Sequence, residues 1–255
     1  MWLRLRQICL VAEKLAPVEE ALCDVFGVEV CHRDPGVGKF GLENALIPFG
    51  NQLLEVVAPT EPGTAAGRYL ERRGGDGGYM FITQCDDHAP RRARVEALGI
   101  RLAYEFERPD YRCMQLHPRD TGGAFFEIDE QRGPNAHDLD GPWLPAGADW
   151  QRARVLDRVT GIAAAELQCD DPVALSQRWA EIAEIDLTEE DGYPVMQLDN
   201  ATCRFVPCSD GRPEGLGSLD VTVSDKDAIL ASARARNAVS GDDQVYICGT
   251  RINLV

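Results

Sequence analysis

The sequence has no long apolar run. Although 44% of its 255 residues are hydrophobic, no stretch approaches the roughly 18 consecutive apolar residues that a membrane helix needs. The amino terminus enters an alternating run at residues 3–11 without the pattern of a signal peptide. These absences predict a cytoplasmic protein with no membrane partner.

Basic residues are scarce relative to acidic ones. Twenty-six lysines and arginines stand against 42 aspartates and glutamates, which gives a formal charge of -16. This charge opposes binding to nucleic acid and disfavours a large anionic substrate, unless local positive patches overcome it. Two arginine-rich stretches, residues 68–73 and 91–94, have helical spacing, and we interpret them as solvated helix faces.

Paired cysteines and nucleotide-binding motifs are also missing. The nine cysteines are scattered singly, which is typical of free, reduced thiols that pack in a core. There is no P-loop, dinucleotide glycine fingerprint or Gly-x-Ser-x-Gly motif, so we expect no nucleotide cofactor. The glycines of residues 36–41 are wrongly spaced for a phosphate cradle, and we interpret this segment as a mobile loop over a pocket mouth.

What the sequence does contain is a repeated order of strands and helices. Two similar units fill residues 3–130, and each reads β-α-β-β-β. The first unit has a strand at 5–11, a helix at 16–26 and strands at 28–32, 43–47 and 52–57. The second has a strand at 79–84, a helix at 88–98 and strands at 101–104, 112–116 and 124–128. A connecting helix is predicted at 64–73.

The same order of elements restarts after a segment rich in proline and glycine. Helices are predicted at 172–182 and 226–235, and strands at 162–168, 195–198, 202–206, 218–223, 244–248 and 251–255. We interpret residues 131–156 as an ordered connector, because Trp143 and Trp150 indicate that it packs against something. The chain is therefore predicted to have an α+β fold of tandem βαβββ modules that form two curved-sheet domains. The domains are placed at 1–130 and 157–255.

The segment with the most chemical information is a Gly-Gly turn that leads into an apolar strand. Glu127 lies on that strand between Phe126 and Ile128. A buried carboxylate needs water, a cation or a proton, because leaving it unpaired costs several kcal/mol. Glu127 is therefore a candidate functional residue.

Polar residues occupy equivalent strand positions of the repeated units. Gln7 and Glu55 each share a strand face with apolar neighbours, and Tyr79 is predicted to share its face with Phe81. If the units form one curved sheet, these residues and Glu127 face a common concavity. Glu55 and Glu127 could then act as an acid and base pair, because burial and mutual repulsion raise one carboxyl pKa. The alternative is that each glutamate points outward or pairs with an arginine.

Three segments in order resemble the vicinal oxygen chelate superfamily, which includes glyoxalase I, extradiol dioxygenases and bleomycin-resistance proteins. They are Glu-Val-Val-Ala-Pro at 55–59, the glycine-bounded helix at 63–74, and Leu-His-Pro-Arg-Asp-Thr-Gly-Gly-Ala-Phe-Phe-Glu at 116–127. Methylmalonyl-CoA epimerase-like members show the greatest likeness, over about the first 130 residues. The second half resembles the superfamily only by its pattern, as a degenerate glyoxalase-like domain.

The resemblance implies a pocket with one divalent metal held by side chains at the positions of Gln7, Glu55, Tyr79 and Glu127. Histidines ordinarily stand at the positions of Gln7 and Tyr79 in the epimerase. An amide oxygen is a weak metal ligand, and a phenol coordinates well mainly as phenolate. The metal set suggested here is accordingly Gln7, Glu55 and Glu127, and it is degenerate.

The resemblance also implies a function. The first hypothesis is a small-molecule enzyme of the isomerase, epimerase or lyase type, acting next to a carbonyl. Glu127 and Glu55 would be catalytic, and Gln7 and Tyr79 would bind the substrate. The second hypothesis is a metal-free protein that binds or sequesters a drug-like molecule. The third, an extradiol-type dioxygenase, needs two histidines that Gln7 and Tyr79 do not supply. Either a monomer or a homodimer is expected.

The remaining candidates are less informative. The positions in the second half that correspond to the predicted site are Ile162, Arg204, Ser218 and Asn253, a set that cannot hold a metal of the same type. Arg204 either serves an anionic ligand or forms an ion pair. His117 either shuttles a proton or holds its turn.

Overall fold

The computed structural model describes all 255 residues and contains two mixed β-sheets. The strands of the first sheet are β1 (Leu3–Val11), β2 (Leu42–Phe49), β3 (Gln52–Pro59), β4 (Gly77–Cys85), β5 (Leu102–Arg108), β6 (Tyr111–Leu116) and β7 (Phe125–Gln131). Those of the second are β8 (Val159–Cys169), β9 (Leu187–Glu190), β10 (Tyr193–Gln197), β11 (Thr202–Pro207), β12 (Gly215–Val223), β13 (Val239–Gly241), β14 (Gln244–Ile247) and β15 (Thr250–Leu254).

The helices are short and mostly begin at side-chain caps. They are α1 (Leu15–Phe26), α2 (Ala65–Arg73), α3 (His88–Ala97), α4 (Pro118–Thr121), α5 (Pro172–Ala183) and α6 (Lys226–Ala235). Asp87, Asp171 and Asp225 each accept a hydrogen bond from a first-turn amide, which satisfies a donor that the helix leaves free. None of these helices is both long and apolar enough to cross a membrane.

The predicted α+β fold of tandem βαβββ modules is confirmed. The sheet orders are β2-β3-β1-β4-β7-β6-β5 and β13-β14-β15-β12-β8-β11-β10-β9. In the first sheet β1 pairs with β3 in parallel and with β4 in antiparallel orientation, so the first strands of the two modules are adjacent. Strands β8 and β12 make the same antiparallel contact in the second sheet. The first and last strands of each module therefore form the middle of each sheet.

The strand predictions failed at three places, and all of them lie at sheet edges. The predicted strand at 28–32 forms only a single bridge between His32 and Leu46, because the chain then turns into a 3-10 segment, Pro35–Phe40, capped by Asp34. Two strands were missed, β9 and β13. The first has the polar sequence Leu-Thr-Glu-Glu and the second has three residues, so neither shows apolar alternation.

One buried core joins the two halves. A cluster of 51 residues takes side chains from both sheets, with helices packed between them. Trp179 of α5, in the second half, packs against core residues of the first half. Its ring stacks on that of Phe126, with 4.4 Å between the ring centroids. Edge contacts to Phe81 and to Phe205 complete its surroundings. The halves are thus held by apolar burial across their interface.

Two of the arginines interpreted as solvated are buried at this interface, so that interpretation was wrong for them. Arg91 is 2% exposed and donates to the carbonyl oxygen of Ala183 in the other half. Arg73 is 1% exposed, and its Nη2 lies 3.6 Å from Asp210 Oδ2. Helical spacing alone does not reveal which helix face meets a second domain.

A second core of 16 residues covers the concave face of the first sheet. The connector enters it through Trp143 and Trp150, which lie against the guanidinium of Arg6. Arg6 also donates to the carbonyl oxygens of Leu139 and Gly141. We propose the domain limits 1–130, 131–156 and 157–255, supported by these contacts of an ordered connector.

Candidate functional site

The concave face of the first sheet encloses a cavity of about 830 Å³. The four predicted site residues, Gln7, Glu55, Tyr79 and Glu127, all line it, and each is at most 8% exposed. They come from β1, β3, β4 and β7, the four central strands of the sheet. Sheet curvature thus brings residues from distant sequence positions to the base of one cavity.

Glu55 is held by two amide side chains. Gln7 Nε2 donates to Glu55 Oε2 at 2.9 Å, and Asn44 Nδ2 donates to Glu55 Oε1 at 2.6 Å. Trp143 Nε1 in turn donates to Gln7 Oε1 at 2.9 Å. Because an indole N–H can only donate, it fixes the Gln7 amide with its oxygen toward the connector and its NH₂ toward Glu55. The Gln7 oxygen is therefore already in use.

The charge state of Glu55 reflects two opposing effects. Burial raises the pKa of its carboxyl above the usual value, and hydrogen bonds from Asn44, Cys9 and Gln7 offset only part of this rise. Those donors favour the carboxylate, because they replace part of the solvation that burial removes. Glu55 is thus a buried acceptor whose protonation depends on the orientation of its amide neighbours.

Replacing Trp143 with phenylalanine should raise the pKa of Glu55. The variant keeps an aromatic ring but loses the indole N–H, so the Gln7 amide can rotate and turn its oxygen toward the carboxylate. Titration of the side-chain carboxyl carbon by NMR measures the shift. Trp150→Phe is the matched control, because the Trp150 indole donates to the Gly141 carbonyl oxygen and not to Gln7. Equal shifts in both variants would contradict the predicted chain of hydrogen bonds.

Glu127 has a partner that the sequence analysis missed, Asp129. Their carboxylate oxygens and the sulfur of Cys113 lie within 4.8 Å of one another. Asp129 Oδ2 accepts from the Tyr111 hydroxyl at 2.5 Å, and Oδ1 accepts from the backbone amide of Met114 at 3.2 Å. These donors favour the charged form of Asp129. Burial and the adjacent Asp129 raise the pKa of Glu127 well above its usual range, so Glu127 keeps the proton.

A signal for Asp129 was present in the sequence. Residues two apart on a strand share a face, so a cavity-facing Glu127 places Asp129 on the same side. The predicted strand ended at residue 128, whereas β7 continues to Gln131. Nothing in the sequence indicated that Tyr111 and Cys113 on the neighbouring strand would meet these carboxyl groups.

The paired carboxyl groups should make the protein less stable as pH rises. Burial raises the pKa of Asp129 to about 6, and that of Glu127 is raised too. Protons held more tightly in the folded state stabilise it fully below the ordinary carboxyl pKa, and this stabilisation is lost as pH rises through the folded-state pKa. We expect the free energy of unfolding to fall between pH 5 and pH 8, with about 1.4 kcal/mol of the decrease from Asp129, because about one unit of its pKa shift lies above pH 5.

Urea denaturation at several pH values measures this dependence. The Asp129→Asn variant should show a flatter profile, because it removes one charge and the repulsion on Glu127. Burial lowers the pKa of His88, which acts with the opposite sign, but this contribution is common to both proteins and cancels in their difference. If the free energy of unfolding depended on pH equally in the parent and the variant, the dependence could not be assigned to the Asp129 and Glu127 pair.

Tyr79 lies on the concave face, but for a different reason than predicted. It is the extra residue of a β-bulge between the pairs Cys9–Met80 and Leu10–Gly78. The bulge turns its ring toward Tyr69 and Phe125, at 4.9 and 5.0 Å. The prediction that it shares a face with Phe81 was wrong, because Phe81 belongs to the interdomain core. Burial raises the pKa of the Tyr79 phenol, which stays protonated.

The donor set does not fit the metal site implied by the resemblance. The Gln7 oxygen accepts from Trp143, and the Tyr79 phenol is protonated and packed between aromatic rings. Cys113, Glu127 and Asp129 form a second group of potential ligands. However, burial raises the pKa of the Cys113 thiol far above its usual value, and both Asp129 oxygens already accept hydrogen bonds. A metal would have to displace these contacts.

The corresponding strands of the second half carry polar side chains that pair with one another. Arg204 donates to both carboxylate oxygens of Asp220, at 2.7 and 2.9 Å, so of the two alternatives for Arg204 the structure shows the ion pair. Asn253 donates to Asp220 and Ser218. Ile162 was misplaced, because it lies in the interdomain core.

His117 does not line the cavity. Its Nδ1 accepts from the backbone amide of Arg119 at 3.2 Å, at the start of α4. Of the two alternatives for His117, the structure shows the histidine that holds its turn.

The chain matches a known domain family in sequence and a known protein in structure. The sequence profile of the glyoxalase-like domain matches residues 8–183, more than half of the chain. A hypothetical protein from Staphylococcus aureus aligns over 100% of this chain and 99% of its own, with 12% identity and a TM-score of 0.67. This likeness shows the tandem fold.

Two methylmalonyl-CoA epimerases align with about half of the chain. The one from Streptomyces coelicolor, in complex with 2-nitronate-propionyl-CoA, covers 51% of this chain and 98% of its own, with 23% identity and a TM-score of 0.45. The one from Mycobacterium tuberculosis covers 52% and 91%, with 22% identity and a TM-score of 0.45. No curated protein matches the chain. On the profile match, the chain belongs to the glyoxalase-like domain family of the vicinal oxygen chelate superfamily.

Proposed function

We propose that this protein is a small-molecule enzyme that moves protons next to a carbonyl group, in isomerase, epimerase or lyase chemistry. The observation that carries the proposal is the pair of carboxyl environments at the cavity base. The pKa of Glu127 is raised well above its usual range by burial and by Asp129, whereas the amide donors Gln7 and Asn44 oppose the rise that burial imposes on the pKa of Glu55. Two carboxyl groups whose surroundings move their pKa values apart in one site are typical of general acid and base catalysis.

The residues have distinct roles in this proposal. Glu55 removes a proton from the carbon next to the carbonyl, and Glu127 donates its proton to the carbonyl oxygen, which gives a neutral enol. Glu127 then takes back the proton of the enol hydroxyl while the carbon is protonated. A proton returned by Glu55 restores the original compound, and a proton delivered by water to the opposite face gives the epimer, after which Glu55 releases its proton to water. Asp129 keeps Glu127 protonated until it donates to the carbonyl oxygen, and Gln7 orients Glu55. Tyr79 provides an apolar wall for the substrate.

The buried thiols of Cys9 and Cys113 are poorly suited to act as nucleophiles. Burial raises the pKa of both Cys9 and Cys113, and both are fully or nearly fully buried. A nucleophilic cysteine acts as the thiolate, which these surroundings disfavour. Proton transfer by carboxyl groups remains the chemistry that the cavity base supports best.

Solvent-deuterium incorporation tests the proposal. The parent protein is incubated in D₂O with small 2-oxo acids, 2-hydroxy ketones and methylmalonyl-CoA, and exchange next to the carbonyl is followed by NMR. We expect exchange in at least one of these classes, and we expect it to survive dialysis against a chelator. If chelation abolished exchange and a divalent cation restored it, a bound metal would stabilise the carbonyl oxygen in place of the Glu127 proton. Absence of exchange throughout would reject the proposal.

Ligand sequestration is a second candidate. Sixteen of the 29 lining residues are hydrophobic, and the polar groups at the base largely satisfy one another, as in a pocket that holds an apolar molecule without reacting. Tight binding of such a molecule without deuterium exchange would favour this function. The dioxygenase is not proposed, because His32 is the only histidine among the lining residues.

A further inference from the structure

Two cations stand at the mouth of the cavity among aromatic rings. We define the rim as Lys39, Phe40, Tyr104, Phe106 and Arg108, all of which line the cavity. Lys39 Nζ lies 4.3 Å from the Tyr104 ring centroid, 4.8 Å from that of Phe40 and 5.8 Å from that of Phe106. The Arg108 guanidinium carbon lies 5.7 Å from the Phe106 centroid. Both positive charges are therefore held beside one aromatic surface.

Neither rim cation has a carboxylate partner. The Lys39 side chain donates only to the Tyr104 hydroxyl, and the Arg108 side chain forms neither an ion pair nor a hydrogen bond. Their acidic neighbour Glu107 is already paired, at 2.7 Å with Arg112 and 3.4 Å with Arg132. In a chain with a formal charge of -16, two unpaired cations at a cavity mouth form a local positive patch.

One other carboxylate lines the mouth, and it serves the chain itself. Asp34 Oδ1 accepts from the backbone amide of Gly36 at 2.7 Å and caps the 3-10 segment that carries Lys39. It thus helps to position the loop on which one rim cation lies. The glycine spacing of residues 36–41 predicts a loop over the mouth, and residues of this loop line the cavity.

Charge is thus divided along the depth of the cavity. The rim carries unpaired cations, and the base carries carboxyl groups and amides with no cation among them. A ligand group with a negative charge is attracted at the rim and repelled at the base by Glu55 and Asp129. The apolar lining between the two ends suits an uncharged hydrocarbon or aromatic body.

We propose that the ligand is an amphipathic organic anion whose acidic group is bound by Lys39 and Arg108, with its body on the rim aromatics and an uncharged end at the base. The acidic group can be a carboxylate, sulfonate or phosphate. Only the identification of the uncharged end as the reacting carbonyl rests on the proposed function. The aromatic contacts hold the cations in place before binding, which lowers the entropy lost when the ligand binds.

A pair of fluorescent probes that differ by one charge tests the proposal. 1-Anilinonaphthalene-8-sulfonate is the anionic probe, and N-phenyl-1-naphthylamine is the same ring system without the sulfonate. We expect the double variant Lys39→Gln, Arg108→Gln to weaken binding of the anionic probe about tenfold, as two exposed charge contacts would. Binding of the neutral probe should change less than twofold.

A matched double variant controls for loss of positive charge. Lys14 and Arg234 are exposed, lie outside the cavity and form no ion pair, so Lys14→Gln, Arg234→Gln removes the same charge elsewhere. This variant should bind both probes as the parent does. Added salt should weaken binding of the anionic probe to the parent and to the control variant, but not to the rim variant.

Three results would overturn the proposal. The first is an equal loss of affinity for both probes in the rim variant, which would mean that Lys39 and Arg108 only hold the loop in place. The second is an unchanged affinity of the rim variant for both probes, and the third is failure of the parent to bind the anionic probe. Because probe binding needs no turnover, a negative deuterium-exchange result leaves this inference standing. A negative probe result likewise leaves the proposed proton transfer to its own test.

Discussion

The Glu127→Gln variant is expected to exchange solvent deuterium about 10²- to 10⁴-fold more slowly than the parent, which is the usual contribution of a general acid or base. Glutamine preserves the shape of the side chain and its capacity to donate toward Asp129, but an amide cannot release a proton to a substrate. The rate is measured by NMR on whichever carbonyl compound the parent exchanges. Binding of that compound should change far less than the rate.

Another glutamate of the same strand provides the control. Glu130 points away from the cavity and pairs with Arg132 at 3.0 Å, so Glu130→Gln should retain the parent rate. The Asp129→Asn variant should keep measurable exchange but shift its pH dependence to lower pH, because the group that raises the pKa of Glu127 has lost its charge. A Glu127→Gln protein with a rate within threefold of the parent would rule out Glu127 as the acid.

The Trp179→Ala variant is expected to lower the free energy of unfolding by about 3–5 kcal/mol, as truncation of a buried tryptophan does. The side chain is fully buried, and the variant would leave a cavity bounded by Phe126, Phe81 and Phe205 at the interface between the halves. It would also lose the hydrogen bond from the indole to the Thr121 carbonyl oxygen. Urea denaturation followed by circular dichroism measures the change.

Trp2→Ala is the comparison for this variant. Trp2 is only partly buried and contacts His137 and Arg4 at the edge of the molecule, so its loss should cost about 1 kcal/mol. Because the core is continuous between the halves, the parent should unfold in one transition. Two separate transitions in the parent, or similar losses for both variants, would show that Trp179 does not join the halves.

The helices and the central strands were predictable because their signals are local. Helix α6 has the predicted bounds, and α5 differs by one residue, since each begins after a capping aspartate and has an apolar face. The edge strands β9 and β13 were missed, because their pairing comes from neighbouring strands instead of apolar alternation. Edge strands depend on tertiary context, and sequence patterns describe them poorly.

The candidate site was predictable only in part. Period-two alternation indicated that Glu55 and Glu127 were polar residues at unusual strand positions, and both line the cavity. The groups that set their protonation come from other elements: Trp143 lies in the connector, and Tyr111 lies on the strand beside β7. Hydrogen bonds between residues 136 positions apart in sequence leave no periodic signal.

The sequence by itself determined the modules, the polar positions on their strands and the Gly-Gly turn before Glu127. Both glycines of that turn have positive φ, 75° and 67°, which a local motif can indicate. Only the tertiary structure decided that Leu175 of the second half packs against the turn, that Arg91 is buried at the interface, and that Asp129 shares the site with Glu127. Local backbone preference and periodicity act over a few residues, whereas burial and charge state depend on neighbours that only the folded chain brings together.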